Sequence, residues 1–369
     1  MLAVMTRNAL VVGGTGPTGP HVVNGLLQRG YTVTILHSGR HESDLLPENL
    51  EHIHTDAFDA SAVRGAITGR NFELVAAMYG RLRDLAPLFA GRCERFVSIG
   101  GVPVYRGFGW PESNHPSGMR IPTREDDGRA IEGDNPKVIK MGQTEDVVFE
   151  HHPKATHLRY PRIYGPMQVQ PKEWSIVRRI LDGRRRMIVS DGGLTLNVLA
   201  YSINAAQALL TAVDRPEESG GHCVNVTDER SVTMGQWIQL LAEGLDVEME
   251  LVSLPYSLAR PAWPLGESTN HHRILSTEFL RTTMGYRDVL GVESALPATA
   301  RWLADYPLER GSITERGLQD PFNYEAEDRL IDAWGEAVTV LDPVAAGADP
   351  GWVDRYSHTA PDAHLLIDR

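Results

Sequence analysis

Through the first 160 positions, short β-branched apolar runs alternate with stretches whose apolar residues recur at helical spacing. Asn8–Val12 is a strand-like run ending in glycines. Pro20–Arg29 then places Val22, Val23, Leu26 and Leu27 on one helical face, Gly30 stops the helix, and Tyr31–Leu36 reads as a second strand. The alternation continues, with strands expected at Asn49–His54, Phe72–Met78, Arg95–Ile99 and Thr156–Arg159. Helices are expected at Ala60–Thr68, Asp84–Ala90 and Pro136–Glu150. Alternating elements of these lengths predict an α/β fold, a doubly wound parallel sheet of Rossmann type.

Between Pro103 and Asp134 the chain is rich in Gly, Pro and charge and reads as a long loop. Beyond residue 168 the pattern is less regular. Helices are expected at Glu173–Asp182, Ala205–Val213, Met234–Gly244, Ser276–Met284 and Ser294–Ala304, with strands at Met187–Ser190 and Cys223–Val226. This divides the chain into a first domain over 1–168, to which some later segments return, a smaller second lobe over 169–306, and an extension over 307–369. The extension holds 13 Asp+Glu against 5 Arg, with a short capped helix expected at Glu325–Trp334 and apolar anchors at Trp352 and Tyr356. Aromatic residues in an acidic tail favour docking, as a lid or as the arm of a homodimer.

Composition narrows the function. The 369 residues carry a formal net charge of −12, which opposes binding to phosphate backbones, so nucleic acid is an unfavoured partner. Two cysteines cannot build a disulfide framework and fit a cytoplasmic protein. The first residues do not read as a leader, and no apolar run reaches membrane length, so neither a leader nor a membrane span is expected.

The clearest motif is Gly13-Gly14-Thr15-Gly16-Pro17-Thr18-Gly19, with Gly13, Gly16 and Gly19 three apart between a strand and a helix. One glycine makes the turn, the next admits a pyrophosphate to the backbone N–H groups, and the last lets helix and strand pack closely, with the phosphate at the helix N-terminus. After the second strand stands His37-Ser38-Gly39-Arg40-His41. There is no carboxylate here to bond a ribose 2′-OH, while the Ser38 hydroxyl and Arg40 guanidinium suit a 2′-phosphate, so NADP is expected over NAD. Asp56 is placed to accept from the adenine amino group. The adjacent pairs His151-His152 and His271-His272 lack ligand spacing, and no metal is expected.

With these residues placed, the chain resembles the extended short-chain dehydrogenase/reductase superfamily, of the NAD-dependent epimerase/dehydratase type, over about residues 8–306. The glycine loop matches TGxxGxxG with Val12 for the Thr. FVSIGGVPVYRG (Phe96–Gly107) is similar to the strand leading to a serine pair and VYG, LRYPRIYGP (Leu158–Pro166) to the segment closing over the nicotinamide, and STEFLRTTMGY (Ser276–Tyr286) to a late helix. The resemblance implies cofactor contacts from Tyr160 and Pro161 and a small-molecule substrate, polar or carbonyl-bearing.

The superfamily's Ser-Tyr-Lys apparatus is not matched. Counting back from Tyr105 puts Gly101 at the Ser/Thr, and counting back from Glu145 puts Met141 at the lysine and Lys137 at the tyrosine. This is the pattern of an atypical branch, which includes reductases and epimerases with substitute residues, cofactor-sensing regulators and plastid RNA-associated proteins. The substitute candidates are Lys140, Tyr105, Lys137 and Tyr79, which fall on the catalytic helix or just after sheet strands. The enzyme reading is an NADP-dependent oxidoreductase or epimerase. Its alternative is a non-catalytic NAD(P)-binding sensor.

Overall fold

The computed structural model describes residues 7–40, 42–265 and 270–348; His41, Trp352 and Tyr356 lie outside the described residues. In chain order the elements are β1 (Arg7–Val12), α1 (Gly19–Gln28), β2 (Tyr31–His37), β3 (Glu51–His54), α2 (Ala60–Ala66), β4 (Phe72–Ala77), α3 (Leu82–Phe89), β5 (Cys93–Gly101), α4 (Pro136–His151) and β6 (Thr156–Tyr160). There follow β7 (Arg162–Tyr164), α5 (Trp174–Leu181), β8 (Arg186–Ser190), β9 (Leu199–Tyr201), α6 (Ser202–Asp214), α7 (Pro216–Ser219), β10 (His222–Asn225), α8 (Met234–Glu243), β11 (Glu250–Leu254), α9 (Val292–Asp305), α10 (Ile313–Gly317) and α11 (Tyr324–Ala346).

Seven strands form one parallel sheet in the order β3-β2-β1-β4-β5-β6-β10, the doubly wound arrangement expected from the alternating pattern. Its strands read as continuous apolar runs because both faces are covered. Val11 and Ile35 face one core with Leu26 and Leu209, while Leu10, Val12 and Leu36 face the other with Leu85, Phe96 and Val148. On the first face α1 lies against α6 so closely that a Cβ on Gly25 would come within 2.3 Å of a Leu210 methyl.

Two short parallel pairs, β8 with β11 and β7 with β9, belong to the less regular second half. Of these strands only β8 is foreshadowed by periodicity; β7 and β9 span just three residues each. The helix expected at Ser276–Met284 is corrected to a single π-helical turn, Phe279–Thr283, and the short helix expected at Glu325–Trp334 to the 23-residue α11. Asn323 caps α11, its side chain accepting from the Ala326 N–H.

The chain divides into two compact units, 1–321 and 322–369. Residues 307–321 therefore belong with the sheet and the lobe. They strap α5: the Trp174 indole N–H donates to Glu315 at 2.8 Å, and Arg179, buried, donates to the buried Asp320 carboxylate at 2.6 and 3.1 Å. No described helix is long and apolar enough to cross a membrane.

Candidate functional site

β1 delivers its last residue, Val12, to a turn in which Gly13 and Gly14 have φ of +102° and +97°, backbone that a side chain would strain. A Cβ on Gly19 would lie 2.2 Å from the Gly14 carbonyl carbon, so α1 starts in direct contact with the loop. Around Gly16 a Cβ would meet nothing within 4 Å. Thr18 makes no side-chain cap to α1 and the first turn holds no acidic residue, which leaves the positive helix end uncompensated by the chain. Thr15, Gly16 and Pro17 are partly exposed, Thr18 and Gly19 buried.

The neighbouring strand ends complete an edge. Ser38 and Arg40 are exposed after β2, the Ser38 hydroxyl accepting weakly from the Arg40 N–H at 3.4 Å, and Arg40 has no ion-pair partner among the described residues. After β3, one oxygen of Asp56 accepts from the Phe58 N–H at 3.0 Å. Tyr79 follows β4, is 59% exposed, stands edge-on to Phe58 at 5.2 Å, and comes within 3.0 Å of where a Gly13 side chain would begin. The structure thus places Tyr79 beside the glycine loop, apart from the other proposed catalytic residues.

Beyond β5 the character changes. Tyr105 is buried, its hydroxyl donating to Asn225 at 2.7 Å and accepting from Arg159 at 2.6 Å. Burial raises its pKa above the ordinary phenol value, so it stays protonated. Arg159 is gripped by Glu145 through two bonds of 2.7 and 2.8 Å, and Arg129 adds a third cationic contact at 3.1 Å. Burial alone would raise the Glu145 carboxyl; the Arg159 hydrogen bonds and charge outweigh it and hold the group below the usual range. Alongside, Ser98 and His157 share a 2.8 Å bond with Glu145 3.9 Å from the other imidazole nitrogen. All three are buried, and desolvation lowers the His157 pKa to about 4, which makes them interior struts.

Lys137 and Lys140 are exposed on α4 and make no hydrogen bond or ion pair to Tyr105. A Cβ on Gly101 would lie 2.8 Å from the Met141 methyl, so the helix face carrying Met141 abuts the end of β5. Lys137 is one turn earlier on that face, and Lys140 is rotated away from it. The Tyr160 hydroxyl donates to the Ala205 carbonyl within the core, which leaves the main chain of Tyr160 and Pro161 as what β6 offers to this edge. A separate cleft of about 880 Å³ is walled by the 105–131 loop, and no residue of the glycine loop lines it.

Several groups escaped the sequence reading. The Glu145–Arg159 pair had one signal, a charged residue at an otherwise buried strand position. Buried Asp228, accepting from Tyr164, Asn204 and the Tyr201 N–H at 2.8, 2.9 and 2.9 Å, had none. Attention to the two adjacent histidine pairs also overlooked His37, His52 and His54, which the sheet register gathers with Glu42.

No protein-family model matches the chain. Among solved structures it resembles the UDP-glucose 4-epimerase of Thermotoga maritima with UDP-glucose, at 20% identity over 81% of this chain and 99% of that one, with a TM-score of 0.62. The chain has the epimerase/dehydratase fold. Another structure with this fold, the UDP-glucuronic acid 4-epimerase of Bacillus cereus in complex with NAD, matches with a TM-score of 0.61 at 15% identity, over 81% of this chain and 99% of that one. In sequence, the chain is 24% identical over 298 residues to a 3-diazoavenalumate denitrifying reductase of a Streptomyces species, covering 75% of this chain and 95% of the relative.

Proposed function

We propose that the protein binds NADP along the glycine-loop edge and works as an oxidoreductase or epimerase on a small polar or carbonyl-bearing molecule, through a non-standard catalytic site. The observation that carries this reading is the loop itself, where close packing at Gly19 and open space at Gly16 leave a phosphate-sized approach at an uncapped helix end. Ser38 and the unpaired Arg40 would hold a 2′-phosphate, Asp56 would take the adenine amino group with its second oxygen, and Phe58 with Tyr79 would pack the base. Solved structures with this fold include epimerases, one of them in complex with NAD, and the sequence relatives include a reductase.

Lys137 is the group best placed to face a bound substrate, because its helix face meets the end of β5, with Lys140 contacting the cofactor ribose. Tyr105 then serves as a positioning residue for Arg159. On β7, Arg162 has only Glu173, at 3.8 Å, as a carboxylate partner among the described residues, and its charge adds to burial in lowering the Arg273 pKa. Two arginines short of counter-charge suit an anionic substrate group. The second reading, a cofactor-dependent regulator without turnover, is favoured by the sealed Tyr105 and by Gly101 at the expected hydroxyl position.

The test is titration of the purified protein with NADPH and, separately, NADH, followed by nicotinamide fluorescence. Tight NADPH binding that Arg40→Glu weakens while sparing NADH supports the cofactor reading; equal losses for both cofactors remove the NADP assignment, and binding of neither refutes the reading. Hydride transfer to a carbonyl substrate separates the enzyme from the regulator, and release of oxidised cofactor on denaturation then points to an epimerase-like cycle.

A further inference from the structure

The register of β2 against β3 sets His37 directly opposite His54, and His52 is two residues back along β3. Side chains two apart on a strand share a face, as do register partners on neighbouring strands, so three imidazoles project from one side of the sheet margin. Their rings meet edge to face with centroids 4.9, 5.1 and 5.7 Å apart. Glu42 closes the group from the loop after β2, its carboxylate 3.9 Å from a nitrogen of His37, 3.9 Å from one of His52 and 3.7 Å from one of His54. His37 Nε2 and His52 Nδ1 are 3.0 Å apart. We propose that His37, His52, His54 and Glu42 form a binding site for a divalent transition metal of the zinc class.

The distances fit that chemistry. With metal–ligand bonds of about 2.0–2.1 Å, the ligand atoms of a tetrahedral site stand about 3.3 Å from one another. Here the four candidate atoms all lie within 4.8 Å, and the separations given above bracket the tetrahedral edge. Three nitrogens and one oxygen select zinc, cobalt or nickel over magnesium or calcium, which take oxygen. The site is half rigid and half adjustable. His37 is 5% exposed and fixed in the sheet, whereas Glu42 and His54, at 54% and 59%, have room to close on an ion.

Without metal, His37 Nδ1 accepts a long 3.3 Å bond from the Gly39 N–H. A metal at Nε2 requires the ring hydrogen on Nδ1, so the Gly39 contact is the one that opens. A bound ion would clip β2, β3 and the loop carrying Glu42 together, and it would do so whichever cofactor the glycine loop takes.

The experiment uses the full chain stripped with chelator and titrated with Co(II), followed by visible absorption, and with Zn(II) in competition. One equivalent per chain with an intense tetrahedral band that Zn(II) displaces is the expected result. Because even the outer partners of metal ligands are worth about 10–100-fold in affinity, His54→Ala and Glu42→Gln, both at exposed positions, each weaken binding by at least about tenfold. His271→Ala, in the other histidine pair, leaves it unchanged. His52→Ala adds a third ligand test, with thermal melting as its folding control. Absence of a band, or a band of undiminished affinity in the His54 and Glu42 variants, overturns the proposal.

Discussion

Two regions meet at the carboxyl edge of the same sheet and are built on opposite rules. At the ends of β1, β2 and β4 the chain leaves groups open: an uncapped helix, a glycine with nothing beside it, an arginine without an acid among the described residues and an exposed tyrosine. At the ends of β5 and β6 a set of buried polar groups is joined in one network. Glu145 holds Arg159, Arg159 holds Tyr105, and Tyr105 holds Asn225, whose amide donates to the Thr123 and Ser276 carbonyls. Unanswered polarity at a strand end is free to meet a ligand, whereas a saturated network fixes the loops that converge on it. Residue type alone does not separate the two, since both contain a tyrosine and an arginine.

The sharpest way to break this comparison is Glu145→Ala. It strands the buried Arg159 charge and should lower unfolding stability by about 3–5 kcal/mol, read from the urea midpoint, without direct effect on the cofactor edge. Gly19→Ala does the reverse. Its Cβ meets the loop backbone, so NADPH affinity should fall by about a hundredfold in the fluorescence titration, equivalent to about 2.8 kcal/mol, while the interior network stays intact.

Asp228 tests the saturated side through pH. Burial pushes it up to about 6, against the bonds from Asn204, the Tyr201 N–H and Tyr164. Its folded pKa exceeds the ordinary value of 3.8, so between about pH 4 and 6 the native state keeps a proton that the unfolded chain gives up. Stability contributed by this group is therefore present below pH 4 and lost as pH rises through 6, with a slope of up to about 1.4 kcal/mol per pH unit. Asp228→Asn should flatten that slope in urea unfolding across the window. The smallest effect is expected from Tyr105→Phe, which removes one hydroxyl from a satisfied network. A loss of about 1 kcal/mol in stability, with NADPH affinity unchanged, would mark Tyr105 as a positioning residue. A fall of a hundredfold or more in turnover with stability intact would return it to the chemistry.

Much of the first half was legible because its signals are local. Helical spacing at Val22, Val23, Leu26 and Leu27 and the Gly13–Gly19 loop each depend on residues within one or two turns of one another. The second half was harder to read. β7 and β9 are too short for periodicity to declare, and residues 307–321, acidic like the rest of the tail, join the main unit through Trp174–Glu315 and Arg179–Asp320 across about 140 positions. At the site, the sequence put Tyr105 just after β5 and Lys137 and Lys140 on α4, but did not decide whether these groups face a ligand or are a packed tyrosine and solvated lysines; the structure has the tyrosine buried and the lysines exposed.

The sequence by itself determined the parallel sheet, the glycine loop and the absence of an acid at the end of β2, since each follows from backbone preference and short-range periodicity. The tertiary structure decided which polar groups are spent on one another. Glu145 meets Arg159 and His37 meets His52 only because strand register and helix packing bring separated residues within about 3 Å. At that range an ionisable group's environment is set by its neighbours in space, which a pattern along the chain does not encode.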